Sequence, residues 1–219
     1  GPNTPAAMGT GIVNQWIIAT PGAGTLGQSG TGASTQVVTW NAIATLAGGT
    51  GTDAMTITEP GNITVRLGNQ PRAGANYTVD QMETITDITT GTNNTLIAPD
   101  TTDNVWTIGA TQNTNTVVYG INTTTFSHFA NVIGGNHTLT GTEQFTVNAV
   151  TTPSGLNAVT TIDTGNGTTS VLVNTGGNVS TITGGSGADT ITVNGTVGSL
   201  ATGGGDDHII LASPAVITS

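Results

Sequence analysis

Cysteine is absent from this 219-residue chain, which excludes a disulfide framework and any thiolate metal site. Lysine is absent too, and Arg66 and Arg72 are the only basic residues besides three histidines, so the net charge is −10. A chain with no basic surface cannot neutralise phosphates, which excludes nucleic acid as a partner and argues equally against anionic membranes. Charged residues make up 6% of the chain and aromatics 4%; about 25% charged is usual. No apolar run approaches the roughly 18 residues that span a bilayer. Catalytic patterns are missing: there is no H-E-x-x-H and no G-x-S-x-G. His128, His137 and His208 sit in unrelated contexts, and Asp206 and Asp207, being adjacent, point apart. The chain is therefore expected not to be an enzyme.

What fills the chain instead is Gly, Thr and Asn, arranged in repeats. Ile182-Thr183-Gly184-Gly185-Ser186-Gly187-Ala188-Asp189-Thr190-Ile191 carries the nonapeptide G-G-x-G-x-D-x-U-x, in which U is a large apolar residue. The stretch from Leu200 through Gly203, Gly204, Gly205, Asp206 and Asp207 to Ile209 matches it with Thr202 in place of the first glycine, and the stretch from Ile162 keeps the glycines with Thr169 in the Asp position. Copies starting at 162, 182 and 200 are 20 and 18 residues apart, about one solenoid coil. Upstream, Leu46 through Gly48, Gly49, Gly51 and Asp53 to Met55 fits the full pattern, and a degraded copy starts at Val132 and resumes after an insertion at Glu143.

Apolar residues also recur at steps of three: Trp40, Ile43, Leu46; Val79, Met82, Ile85; Phe126, Phe129, Val132; Leu156, Val159, Ile162. A helix needs i, i+3, i+4, i+7 and a strand alternates. Steps of three, with poor helix formers between them, suit a strand and a corner in a narrow coil. A longer duplication pairs Trp16 with Trp106, Trp40 with Phe126, Gly48-Gly49 with Gly134-Gly135 and Met55 with Phe145. The expectation is an all-β chain, a right-handed parallel β-solenoid of about 18–20-residue coils. Residues 1–11 are a lead-in whose Gly1-Pro2 looks like a protease scar, 12–150 a duplicated block (12–98 and 104–150), and 151–219 regular glycine-aspartate coils. The chain is read as a segment of a longer protein.

Calcium takes six to eight oxygen ligands. Asp189 and Asp207 lie 18 residues apart, one coil, and should stack. One ion is expected between them, with carbonyls from the turns that hold Gly184, Gly185 and Gly187 and Gly203 and Gly205, and with Asp206 as an extra ligand. Asp53 has the motif but no evident stacked carboxylate; one coil later the chain reads Gln70-Pro71-Arg72, and Arg72 could stand in for a cation. Solvated turn aspartates in a metal-free solenoid are the competing reading.

The C-terminal coils resemble the RTX (repeats-in-toxin) calcium-binding β-roll over residues 162–211 and locally over 46–57. The larger block resembles repeats of giant bacterial exoproteins of the filamentous-haemagglutinin type, on Trp106–Ile108 and Phe126–Gly135. The resemblance implies a secreted, cell-surface stalk used for adhesion or biofilm formation, joined to neighbouring solenoid domains of the same protein and meeting a host surface or polysaccharide. A surface-layer segment is the main alternative, and a solenoid carbohydrate-active or ice-binding module a further one. Asn-x-Ser/Thr sequons occur, for example at Asn62 and Asn178, as an Asn- and Thr-rich chain produces by chance.

Overall fold

A computed structural model of the chain describes residues 13–29, 37–49, 51–69, 74–89, 93–111, 114–136, 142–149, 159–212 and 214–218. These hold strands and no helix. In chain order they are β1 (Val13–Thr20), β2 (Ala23–Ser29), β3 (Val38–Trp40), β4 (Thr45–Ala47), β5 (Ala54–Ile57), β6 (Thr64–Leu67) and β7 (Tyr77–Asp80). Then come β8 (Thr84–Asp87), β9 (Thr95–Ile97), β10 (Asn104–Thr111), β11 (Thr114–Tyr119), β12 (Asn122–Ser127), β13 (Asn131–Ile133) and β14 (Thr142–Val147). The last seven are β15 (Thr161–Asp163), β16 (Thr168–Val173), β17 (Asn178–Thr183), β18 (Thr190–Val193), β19 (Thr196–Ala201), β20 (His208–Leu211) and β21 (Val216–Ile217).

The strands form two sheets, mostly parallel, as a parallel β-solenoid requires. The first has twelve strands in the order β20-β18-β16-β14-β10-β11-β12-β8-β5-β1-β2-β3. The second has nine, in the order β21-β19-β17-β15-β13-β9-β6-β7-β4. From β15 onward the chain alternates between the sheets, and each strand lies on the one two places earlier. Parallel strands buried on one face line up identical positions, so one apolar residue per coil builds a continuous column. In the second sheet that column is Leu96, Val132, Ile162, Ile182 and Leu200. In the first it is Trp106, Phe145, Val171, Ile191 and Ile209. Trp106 stacks on Phe145 at 5.5 Å and meets Phe126 edge-on at 5.7 Å.

The steps of three mark the corners. Trp40 lies on β3, Ile43 at the bend and Leu46 on β4 in the other sheet, and all three are buried. Val79-Met82-Ile85 and Phe126-Phe129-Val132 turn corners the same way. The residue before each middle position is left-handed: Ala42 at φ 58°, Gln81 at φ 52° and His128 at φ 66°. That reversal redirects the chain within three residues while keeping every third side chain inward. Leu156, at the fourth such step, lies outside the described residues, as do the lead-in, Arg72 and His137.

Two features depart from a uniform coil. The 18–20-residue period holds for the C-terminal coils, but Ala54 pairs with Thr84, 30 residues on, and Gln144 with Ser170, 26 on. The longer first interval holds two strands of the second sheet, β6 and β7, which pair in parallel with each other, and the register of the first sheet is kept across it. Each Trp strand also opens an antiparallel meander, β1-β2-β3 and β10-β11-β12. In both, the first strand pairs in parallel with a later coil: Trp16 opposite Met55, Trp106 opposite Phe145.

Candidate functional site

Along the first sheet, the position before each coil strand's first inward apolar pair carries a polar side chain that is turned into the protein. By register these are Asn14, Asp53, Glu83 and Thr124 in one run, and Asn104, Glu143, Thr169, Asp189 and Asp207 in the other. Asp53 and Glu143 are completely buried and Asp189 is 1% exposed. A buried carboxylate must be hydrogen-bonded, and here the donors come from the adjacent coil. The Asn14 N–H donates to Asp53 Oδ1 (2.9 Å), the Asp53 N–H to Glu83 Oε2 (2.6 Å), the Thr169 N–H to Asp189 Oδ1 (2.9 Å) and the Asp189 N–H to Asp207 Oδ1 (3.0 Å). In all four the side chain reaches back one coil in the same direction, so each acid ties its coil to the one before it.

The paired glycines make room for these acids. A Cβ on Gly184 would lie 1.9 Å from the Thr202 carbonyl oxygen and 2.8 Å from Asp189 Oδ2. One on Gly48 would lie 1.9 Å from the Gln81 oxygen and 2.8 Å from Asp53 Oδ2. Glycine is required because the carboxylate and the neighbouring coil's backbone occupy that space. The glycine-aspartate motif therefore encodes an inward acid as well as a turn.

The sites expected from the sequence can now be placed. Asp189 and Asp207 do stack one coil apart. Asp207 is partly buried, Asp206 is exposed, and the Gly185 carbonyl accepts the Gly204 N–H at 2.9 Å. Asp189 Oδ2 is buried without a hydrogen-bond partner, and so is Asp53 Oδ2. Burial raises the Asp189 carboxyl above its usual range; the nearby Asp207 charge adds to this, while the Thr169 N–H opposes it. With its folded pKa raised, Asp189 contributes stability that is present at low pH and lost as pH rises through that pKa. Among the described residues no three His, Cys, Asp or Glu side chains converge as a metal-holding group. The side chains seen here thus offer calcium one free buried oxygen at Asp189 and the exposed Asp206, with the remaining carboxylate oxygens of the pair in part committed to the backbone.

Asp53 has a stacked carboxylate after all. The next strand over it is β8, and Glu83, immediately before β8, stacks on Asp53; the expectation that residues 70–72 occupy that place is corrected, because this coil is 30 residues long. Glu143, where the degraded repeat copy resumes, holds the same inward place as Asp53. It accepts from Gly135 N–H (2.7 Å), Trp106 Nε1–H (3.1 Å) and the Asn104 amide. Its place opposite Asn104, matching Asp53 opposite Asn14, was the available signal. Asp163 lies on β15 and accepts the Gly165 N–H at 3.0 Å, outside the column.

Three further buried polar clusters had no sequence signature. Asp87 takes the place of Ile57 in the core and accepts from Thr89 and Asn94. Tyr77 donates to Glu59 at 2.8 Å, and burial beside that carboxylate raises its hydroxyl's pKa. Arg66 is 1% exposed and pairs with Asp100 at 2.9 Å, so one of the two arginines serves the interior. Amide pairs run along the outside: Asn174 donates to Asn148 (2.9 Å) and Asn166 to Asn136 (3.2 Å), each one coil apart. A cleft of about 340 Å³ lined by Asn69, Gln81, Tyr119 and Ile121 has Asp80 as its one carboxylate.

In comparisons with known proteins, no family model, no curated protein and no solved structure matches this chain.

Proposed function

We propose that this chain is a structural rod segment of a secreted bacterial surface protein, an adhesin-type stalk whose role is reach and display. The observation that carries this reading is the inward column of acids and amides, which ties successive coils together along the axis. Such a column adds stiffness along the one direction a stalk is loaded. The low charge, the outward Asn pairs and the coil-on-coil core suit a spacer, since each added strand layer lengthens a rod by about 4.8 Å.

Calcium is a second component of the proposal. It is favoured by one observation: two carboxylates stacked one coil apart, one of them holding a buried oxygen with no hydrogen-bond partner. Asp189, Asp207 and Asp206 would hold the ion with turn carbonyls, and the ion would neutralise two carboxylates that now stack one coil apart. Binding to the folded state alone would stabilise it by mass action. The test is thermal unfolding by circular dichroism after exhaustive EDTA, with and without calcium, on the wild type and on Asp189→Asn. A calcium-dependent rise in Tm that Asp189→Asn abolishes supports the site. An identical melt in both conditions removes calcium from the proposal and leaves a metal-free rod. The rod itself is tested by small-angle X-ray scattering: a globular distance distribution in place of an elongated one would sink it.

A further inference from the structure

The cleft of about 340 Å³ lies where the two duplicated blocks meet. The turns that end β6 and β7 wall it from the first block, residues 99–102 of the joint close one side, and the tight turn between β11 and β12 closes another. Ligand sites form preferentially where structural units meet, and this volume lies at the small end of the roughly 300–1,000 Å³ usual for them. The walls are fixed by backbone. Gln81 is the left-handed corner residue at φ 52°, and the Asp80 carbonyl beside it accepts the Gly48 N–H at 2.9 Å. Tyr119 pairs with Asn122 across the β11–β12 turn, and Gly120 at φ 58° supplies its first position. The Tyr119 hydroxyl is engaged by Thr124 at 3.2 Å, so this buried tyrosine serves as wall.

What distinguishes the cleft is that its polar groups are uncommitted. Elsewhere in the solenoid side-chain amides bond to the next coil: Asn174 to Asn148, Asn166 to Asn136, Asn131 to the Asn93 carbonyl. At the cleft the side chains of Asp80, Gln81, Thr101 and Asn122 make no hydrogen bond with any described residue. Beside them Ile121 is 100% exposed. It holds the second position of the turn, where a hairpin usually places a polar residue after the glycine. Free donors and acceptors thus share one small concavity with one exposed aliphatic side chain.

The chemistry narrows the ligand. Among the described residues no cation lines the cleft, and the chain's net charge of −10 repels anions. A single carboxylate falls short of the oxygen set that a divalent cation takes. No open strand edge lines it either: β7 pairs with both β6 and β4, and β12 with both β11 and β8, so an extended peptide finds no backbone to pair with. A small neutral polyol fits what remains, since its hydroxyls both donate and accept and its C–H face packs on an aliphatic side chain. We infer that this cleft binds a neutral saccharide unit the size of a mono- or disaccharide. Asp80, Gln81, Thr101 and Asn122 bond its hydroxyls and Ile121 packs on its ring. The inference goes beyond the stalk reading and does not rest on it: an elongated rod with no affinity for sugar leaves that reading standing while ending this one.

The test is titration of the intact, isotope-labelled chain with glucose, galactose, mannose, N-acetylglucosamine, maltose, cellobiose and lactose, followed by NMR. The expected result is that at least one of these sugars, at millimolar concentration, saturably shifts the Gln81 and Asn122 side-chain amides and the Ile121 methyl groups. Gln81→Gly, which suits the left-handed backbone, weakens binding about tenfold, the equivalent of one lost hydrogen bond. Ile121→Ser, at a fully exposed position, weakens it as well. Circular dichroism checks that both variants keep the β signal. No shift with any of the sugars, shifts that map to another surface, or binding indifferent to both variants would each overturn the inference. Calcium chloride alone shifting the same amides, in a way that Asp80→Asn abolishes, would assign the cleft to a cation and overturn it too.

Discussion

At the first glycine turn of the block that begins with Trp16 the inward acid is Asp53; at the matching turn of the block that begins with Trp106 it is Glu143. Both lie opposite an asparagine and behind a pair of glycines, and both are completely buried. The extra methylene changes what each can reach. Glu143 spreads its two oxygens over Gly135, Asn104 and the Trp106 indole N–H. Asp53 spends Oδ1 on the backbone and side chain of Asn14, leaving its own Oδ2 and the Trp16 Nε1 without partners. One fold position thus has a satisfied and an unsatisfied version in the same molecule. The comparison teaches that the column is set by backbone register, and that the length of the acid decides only how completely it is paid for in hydrogen bonds.

The largest expected effect follows from removing the better-satisfied acid. Glu143→Ala leaves the Trp106 indole and the Gly135 N–H buried without an acceptor and takes one of the acceptors of the Asn104 amide, which keeps the Pro99 carbonyl. At about 1–3 kcal/mol for each unsatisfied group, partly relieved by water, the loss should be about 4 kcal/mol. Asp53→Ala should cost about 2 kcal/mol, because fewer donors lose their partner and an unpaired buried oxygen leaves with it. Urea unfolding, with hydrogen exchange at Trp106 and Gly135 to localise the damage, measures both. Equal losses at the two sites would show that burial alone, and not the hydrogen-bond difference, sets their worth.

The converse substitution sharpens the comparison. Asp53→Glu lengthens the acid toward the Trp16 indole and should gain about 1 kcal/mol, the net value of one buried hydrogen bond. The sister block shows that a glycine at this place accommodates the longer acid: a Cβ on Gly134 would lie 3.0 Å from Glu143 Cγ, just as one on Gly48 would lie 2.9 Å from Asp53 Cβ. The readouts are Tm and slowed exchange of the Trp16 indole proton. A lower Tm would mean the first block is too tightly packed at Gln81 for the extra methylene, an overpacking cost of about 1–3 kcal/mol.

Much of this architecture was legible before any coordinates. The nonapeptide, the steps of three and the Trp-to-Trp duplication all rest on inward side chains, and inward side chains are what a coil cannot vary freely. Glu83 over Asp53 was not legible. Two second-sheet strands, β6 and β7, lie between β5 and β8 and stretch that coil to 30 residues, whereas a period of 18 to 20 points to the stretch near Arg72. Glu143 was obscured by the insertion before it and by its being the longer acid. The antiparallel strand β2 was not legible, because Ala-Gly-Thr-Leu-Gly-Gln-Ser lacks the β-branched alternation that marks a strand; it pairs because β1 on one side and β3 on the other supply its partners.

The smallest expected effect lies at the corners, where the two blocks are alike. Ala42, Gln81 and His128 all hold left-handed backbone at the same point of the Φ-x-x-Φ step. An L-residue there costs roughly 1–2 kcal/mol of local strain that glycine avoids, while glycine returns about 0.4–1 kcal/mol as unfolded-chain entropy. Ala42→Gly and Gln81→Gly, both at exposed positions, should therefore raise stability by about 0.5 kcal/mol each. His128→Gly should gain more than either, because it also removes Nδ1, which is buried with no hydrogen-bond partner. Equal gains at all three corners would show that backbone conformation alone carries the strain. A loss at His128 would show that its ring contributes packing that outweighs both the strain and the buried nitrogen.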